Sequence, residues 1–209
     1  MQEQAERLRI IRGSCRTIRG FLWIGLGGMA LFAALYICYG VKAAKAPVSS
    51  YRVTESRYGT LSIDIAGQDW RVGSIVPDYA TPMGVYADYS PKTLQFVNMA
   101  LSLVLVLAPV TFIMMLVLLI IKRVMKGSSP FCGENIRCLK FIGWIMLFRG
   151  LAVKILYLLG IVYLVFGGQV RGTSYLFDVG EAFSGGLLLV LARIFEYGAY
   201  LQHEYDTTL

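Results

Sequence analysis

Charge is the scarcest ingredient of this chain. Asp, Glu, Lys and Arg make up 16% of its 209 residues, where a soluble domain carries about a quarter. Histidine is limited to His203, which reads as a solvated side chain near the C-terminus. There is no glycine-rich phosphate loop, no nucleophile elbow and no His-Glu-x-x-His pattern. No catalytic residue is therefore assigned, and the chain reads as non-enzymatic. Cysteine is confined to Cys15, Cys38, Cys132 and Cys138. Cys132 and Cys138 lie too far apart for the usual zinc pair and have no histidine beside them. Neither a metal site nor any other cofactor is expected. No repeat and no low-complexity tract is found. What is abundant is apolar: 56% hydrophobic residues and a mean hydropathy of +0.61. That balance excludes a disordered chain and a soluble nucleic-acid-binding domain, and it points to the lipid bilayer as the first partner.

The net charge is +7, and its placement matters more than its size. Arg7, Arg9, Arg12, Arg16 and Arg19 crowd the N-terminal tail. Lys122, Arg123, Lys126, Arg137 and Lys140 crowd the segment 122–140. Between them, 42–95 mixes basic residues with Glu55, Asp64, Asp69, Asp78 and Asp88. Short, dense positive clusters stay on the cytoplasmic side, where they resist translocation and meet anionic lipid. On this topology none of the cysteines lies outside the membrane, and no structural disulfide is expected. Direct nucleic-acid binding is not expected, because no aromatic-interleaved basic surface accompanies the clusters.

Four apolar runs are candidate spans, since about 20 apolar residues cross the hydrocarbon core. The reading is a basic tail 1–20, a first transmembrane helix 21–42, an extracytoplasmic cap 43–95, a second helix 96–122, a cytoplasmic loop 123–140, a third helix 141–166, a short outer loop 167–174, a fourth helix 175–201 and a tail 202–209. The first run is longer than the apolar core of a signal peptide and is taken as a retained helix. The second contains Pro109, expected to kink it. The loop 167–174 pairs the last two helices antiparallel. An even number of spans, with both basic clusters inside, places both termini in the cytoplasm.

The expected fold class is thus all-α, with four transmembrane helices and a small cap containing a β-hairpin. In the cap, Thr60-Leu61-Ser62-Ile63-Asp64-Ile65 alternates polar and apolar residues, the period of a strand. Ala66-Gly67-Gln68-Asp69 is a turn signal, and Trp70-Arg71-Val72 resumes the alternation. A lone hairpin is marginal, so the cap is expected to pack on helix ends.

The third and fourth runs are not free of charge. Arg149, Lys154 and Arg193 face a matching count of acids, Asp178, Glu181 and Glu196. Such residues pair or meet water. Arg193 and Glu196 stand in i,i+3 relation, and Arg149 lies at a similar depth and is a candidate to join them. Lys154 is expected to reach Asp178 or Glu181. These six are the candidate intramembrane ion pairs, serving either a structural network or an ion or polar-substrate path. Glycines at 25, 27, 28, 180, 185 and 186 permit close helix packing.

Two stretches carry a recognisable pattern. One is Ser129-Pro130-Phe131, Glu134-Asn135-Ile136-Arg137, Leu139-Lys140 and Ile142-Gly143-Trp144. The other is Leu187 to Leu191, Ala192-Arg193-Ile194-Phe195-Glu196-Tyr197-Gly198-Ala199, Leu201-Gln202 and Asp206-Thr207-Thr208-Leu209. Together they resemble the bacterial membrane family catalogued as domain of unknown function 2975, in layout and in both motifs. One departure is Arg193, where family members often carry an acid. The resemblance implies four helices and a setting beside a small helix-turn-helix repressor, hence a membrane component of a regulatory pair. Asn135 is expected to cap a helix, so that 131–140 would present a short amphipathic turn beside the C-terminal tail. The candidate partner-docking residues are Pro130, Phe131, Asn135, Leu139, Phe195, Gly198, Gln202, Asp206 and Leu209, all on the cytoplasmic side.

Three readings of function follow. The first is a membrane-bound regulator or sensor that engages a soluble helix-turn-helix transcription factor. The second is a small transporter or channel subunit built on the intramembrane charges, which with so few helices would work as a homo-oligomer. The third is a structural or accessory membrane protein.

Overall fold

A computed structural model describes residues 2–55, 61–65, 90–127, 129, 131–164 and 177–208. Helix α1 runs Gln2–Lys45. A second rod is formed by α2 (Pro91–Leu101), a π-helical stretch π1 (Ser102–Leu107) and α3 (Ala108–Met125). A third consists of α4 (Gly133–Phe148), the π-helical stretch π2 (Arg149–Val153) and α5 (Lys154–Leu164). Helix α6, Val179–Thr208, is the last.

Three helices are long and apolar enough to cross a bilayer: Gly13–Lys45, Pro91–Met125 and Gly133–Ile161. They mark the chain as a membrane protein. The expectation of four such spans is corrected at α6. That helix forms, but Glu181, Arg193 and Glu196 interrupt its apolar stretch, and it does not rank with the other three.

The cap departs from expectation as well. The strand at Leu61–Ile65 (β2) forms, but its antiparallel partner is β1, Tyr51–Glu55, with Tyr51 opposite Ile65 and Glu55 opposite Leu61. The hairpin anticipated between 60–65 and 70–72 is therefore not supported. Its turn 66–69, the arm 70–72 and the rest of the cap to 89 lie outside the described residues, as do 165–176 with the outer loop 167–174. The segment before β2 also has strand-forming residues, Tyr-Arg-Val-Thr, so either neighbour could have served.

Helix ends are set by local chemistry. Ser90 caps α2 by accepting from the Thr93 N–H (3.5 Å), with Pro91 in the first turn. Helix α3 stops where Gly127 adopts φ +95°, a left-handed conformation that glycine takes at least cost. Pro109 follows π1, where the Ala108 N–H reaches the Leu103 carbonyl. The wider π turn accommodates a residue that has no N–H to give and a ring that crowds the preceding turn.

The chain gathers into two compact units. The first comprises Met1–Leu31, Val110–Leu147 and Phe183–Leu209. Its apolar centre is Leu116, Cys138 and Ile142, with Ile113, Val117, Ile120, Ile145, Met146 and Leu188 against them. Here α4 and α6 run antiparallel at very close range. A Cβ on Gly185 would stand 2.5 Å from the Leu147 N, and one on Gly143 would stand 2.9 Å from Leu189.

The second unit comprises Phe32–Pro109 and Phe148–Ala182. The end of α1 is tied down twice. The Lys92 ammonium donates to the carbonyls of Ala44 (2.8 Å) and Ala46 (3.4 Å), placing a cation where α1 presents its unpaired carbonyls. The Tyr51 hydroxyl donates to the Ala43 carbonyl at 2.6 Å, and burial pushes that hydroxyl above its ordinary pKa. The described start of the cap thus packs on a helix end.

Candidate functional site

Of the two candidate groups, the docking residues fall in the first unit, and the ion-pair residues divide, Arg193 and Glu196 in the first unit and Arg149, Lys154, Asp178 and Glu181 in the second. In the first unit the two motif stretches meet. The Phe131 ring packs edge-on against Phe195, with centroids 5.1 Å apart. It also lies over Gly198, where a Cβ would meet the Phe131 ring at 3.9 Å. Residues 131 and 195–198, far apart in sequence, are thereby one surface. Phe131 remains partly exposed and Gln202 is exposed, while Leu139, Phe195 and Gly198 are half-buried.

Asn135 does something other than expected. It is not the cap of α4; it lies inside the first turn, 3% exposed. Its Nδ2 donates to the Ser129 carbonyl at 3.3 Å, while the Cys132 carbonyl receives the N–H groups of Asn135 and Ile136. Asn135 therefore holds the segment leading to Phe131 rather than offering itself to a partner. Pro130, Leu209 and the side chains of Asp206 and His203 lie outside the described residues.

The same unit holds ion pairs that sequence reasoning missed or misassigned. Glu196 pairs with Arg193 (3.0 Å), as expected, but its second partner is Lys140 (2.9 Å) rather than Arg149. Arg123 Nε meets Glu134 at 2.8 Å, and Arg123 Nη1 donates to the Cys138 sulfur at 3.3 Å. In the sequence Arg123 and Lys140 read as topology signals, and Lys140 also as part of a motif, with no ion-pair partner assigned to either. Helical spacing alone does not reveal which turn of α6 stands opposite which turn of α4.

In the second unit the remaining charges converge around π2. Arg149 Nε lies 3.1 Å from Glu181 Oε1, without the alignment of a hydrogen bond. Lys154 Nζ lies 3.9 Å from Asp178 Oδ2 and donates to the Phe177 carbonyl at 3.3 Å. Asp178 Oδ1 accepts the Glu181 N–H (3.1 Å), capping α6, and the Asp178 N–H donates to the Gly150 carbonyl (2.7 Å). The approach is so close that a Cβ on Gly150 would collide with the Ala182 backbone nitrogen. Helix α6 therefore begins beside π2. Helix α5 continues to Leu164, roughly 20 Å further along its axis at 1.5 Å per residue. The ends of the two helices are not level.

Both Arg149 and Lys154 are largely buried, at 15% and 11% side-chain exposure, against 24% for Glu181 and 47% for Asp178. Two cations and two carboxylates balance, as buried charges must. A π-helical stretch inside a longer helix is frequent at functional sites, and this one carries Arg149 as its first residue. Among the described residues no group of His, Cys, Asp and Glu could hold a metal ion.

Comparison with known proteins bears on the first unit's motifs. The family described as protein of unknown function (DUF2975) matches over residues 65–209. The chain belongs to this family. The match covers both motif stretches and all four residues of the π2 cluster. No curated protein and no solved structure matches the chain.

Proposed function

We propose that the protein is a non-enzymatic, multi-pass membrane regulator that engages a soluble helix-turn-helix transcription factor through the surface built on Phe131, Phe195 and Gly198. The observation that carries this reading is the packing of Phe131 against Phe195 and Gly198, which makes the two DUF2975 motif stretches a single feature. Positive residues flank it at Arg137 and Lys140, on the side that the positive-inside rule assigns to the cytoplasm. Gln202, Leu201 and Tyr205 extend it along the exposed part of α6. The family resemblance supplies the class of partner. Purification of the tagged protein in mild detergent from its native membrane, with mass spectrometry of what copurifies, tests it. The expected result is a stoichiometric helix-turn-helix protein, lost when Phe131 becomes Ala or when 202–209 is removed. Capture unchanged by both alterations would overturn the reading.

A second reading, a small transporter or channel subunit, is favoured by the Arg149–Glu181 and Lys154–Asp178 pairs. A flux in reconstituted vesicles that Lys154→Met and Glu181→Leu abolish would support it.

A further inference from the structure

The buried side of α2 and the start of π1 carries three polar residues beside the apolar Leu94 and Met99. Gln95, Asn98 and Ser102 recur at three- and four-residue spacing, which stacks them on one stripe of the helix. All three are buried, whereas Thr93, Ala100 and Val104 on other sides are exposed. Asn98 and Ser102 are only 3% and 5% exposed, and Asn98 Oδ1 makes no hydrogen bond to any described residue. Tyr36 of α1, also buried, comes within hydrogen-bonding reach of Ser102. On the other flank α2 packs against α5. There the Leu101 side chain lies over Gly160, and Tyr157 is among the most deeply buried side chains of the chain. All of these residues belong to the second unit.

A buried oxygen without a partner costs free energy comparable to a lost hydrogen bond. In a membrane span no lipid tail can supply the missing donor. The stripe therefore calls for an occupant, and its chemistry selects one. Neither the stripe nor Tyr36 carries a charge that would balance a bound ion. Amides and hydroxyls both donate and accept, which suits a small neutral hydrogen-bonding molecule. We propose that Gln95, Asn98 and Ser102, closed by Tyr36, form an internal site for such a molecule, and that water occupies it. The site is independent of the docking surface.

Hydroxyl-radical footprinting of the full chain in lipid nanodiscs tests this directly. A brief ionising pulse makes radicals from water in place, and they oxidise the side chains that touch it. Tyr36, at 4% exposure, should be oxidised at a rate comparable to Tyr205, at 67% exposure. The same pulse in oxygen-18 water should put the heavy isotope on Tyr36. In the double variant Asn98→Leu with Ser102→Ala, oxidation of Tyr36 should fall severalfold while that of Tyr205 is unchanged. A Tyr36 that stays unoxidised in the unsubstituted protein would overturn the proposal without recourse to the variant. So would a rate that the double variant leaves unaltered.

Discussion

At the scale of single residues, the two kinds of ion pair differ in what surrounds them. Lys140 and Glu196 are in contact at 2.9 Å but are about a third and a half exposed. Arg149 and Glu181 are in contact at 3.1 Å and are mostly buried. An exposed pair is screened and gains little, with a coupling typically below about 1 kcal/mol. A buried pair is costly to break, because the partner left behind is an uncompensated charge. Double-mutant cycles followed by thermal unfolding in detergent should separate them. Arg149→Met and Glu181→Leu should each destabilise the protein more than the two together. Their coupling should exceed about 1 kcal/mol, within the range seen for contacting residues. Lys140→Met and Glu196→Leu should add nearly independently. Equal coupling for both pairs would mean that the second unit screens its charges as well as the surface does.

At the scale of elements, α4 and α6 are held at close range by glycine, and adjacent glycines predict opposite outcomes. A methyl group on Gly185 would meet the backbone of α4, 2.5 Å from Leu147 N and 2.8 Å from the Gly143 carbonyl. Backbone cannot swing aside as a side chain can, so the helices must separate. Gly185→Ala should destabilise by about 1–3 kcal/mol, the usual cost of overpacking. A methyl group on Gly186 would meet nothing within 4 Å, so Gly186→Ala should be neutral or slightly stabilising, alanine being the better helix former. Thermal unfolding of the two variants side by side checks the contrast. The sequence showed that these glycines could allow close packing, but not which of the neighbours does so. The same limit applies elsewhere. The uncharged runs around 21–41 and 96–121 made the first two spans legible, because a charge-free stretch of that length has few other solutions. The strand at Leu61–Ile65 was legible from its alternation, but its partner was not, since segments on both sides have strand character. The π-helical stretches left no trace in periodicity, a local widening being too small a change in phase. Asn135 looked like a cap because its residue type favours caps, and only the placement of Ser129 and Cys132 shows that the helix begins earlier.

At the scale of the whole molecule, the distribution of charge makes a prediction about sidedness. Lys122, Arg123, Lys126, Arg137 and Lys140 lie on or beside the turn between α3 and α4, and Arg16 and Arg19 lie on the N-terminal part of α1. The positive-inside rule predicts that both regions stay in the cytoplasm and that the cap after α1 is exported. Three spans with these ends would put α6 on the far side unless α6 returns through the bilayer. Within the first unit α6 runs antiparallel to α4, with Leu189 at Gly143 and Phe195 at Phe131, so α6 is expected to lead back to the side on which α4 begins. Fusion of green fluorescent protein after Leu209 should therefore fluoresce, and alkaline phosphatase inserted within 66–89 should be active. Phosphatase fused after Leu209 should be inactive. The opposite pattern at Leu209 would place the Phe131–Phe195 surface outside the cell, where no transcription factor could reach it. That result would remove the regulator reading at once, while the charged cluster at π2 would stand as it is.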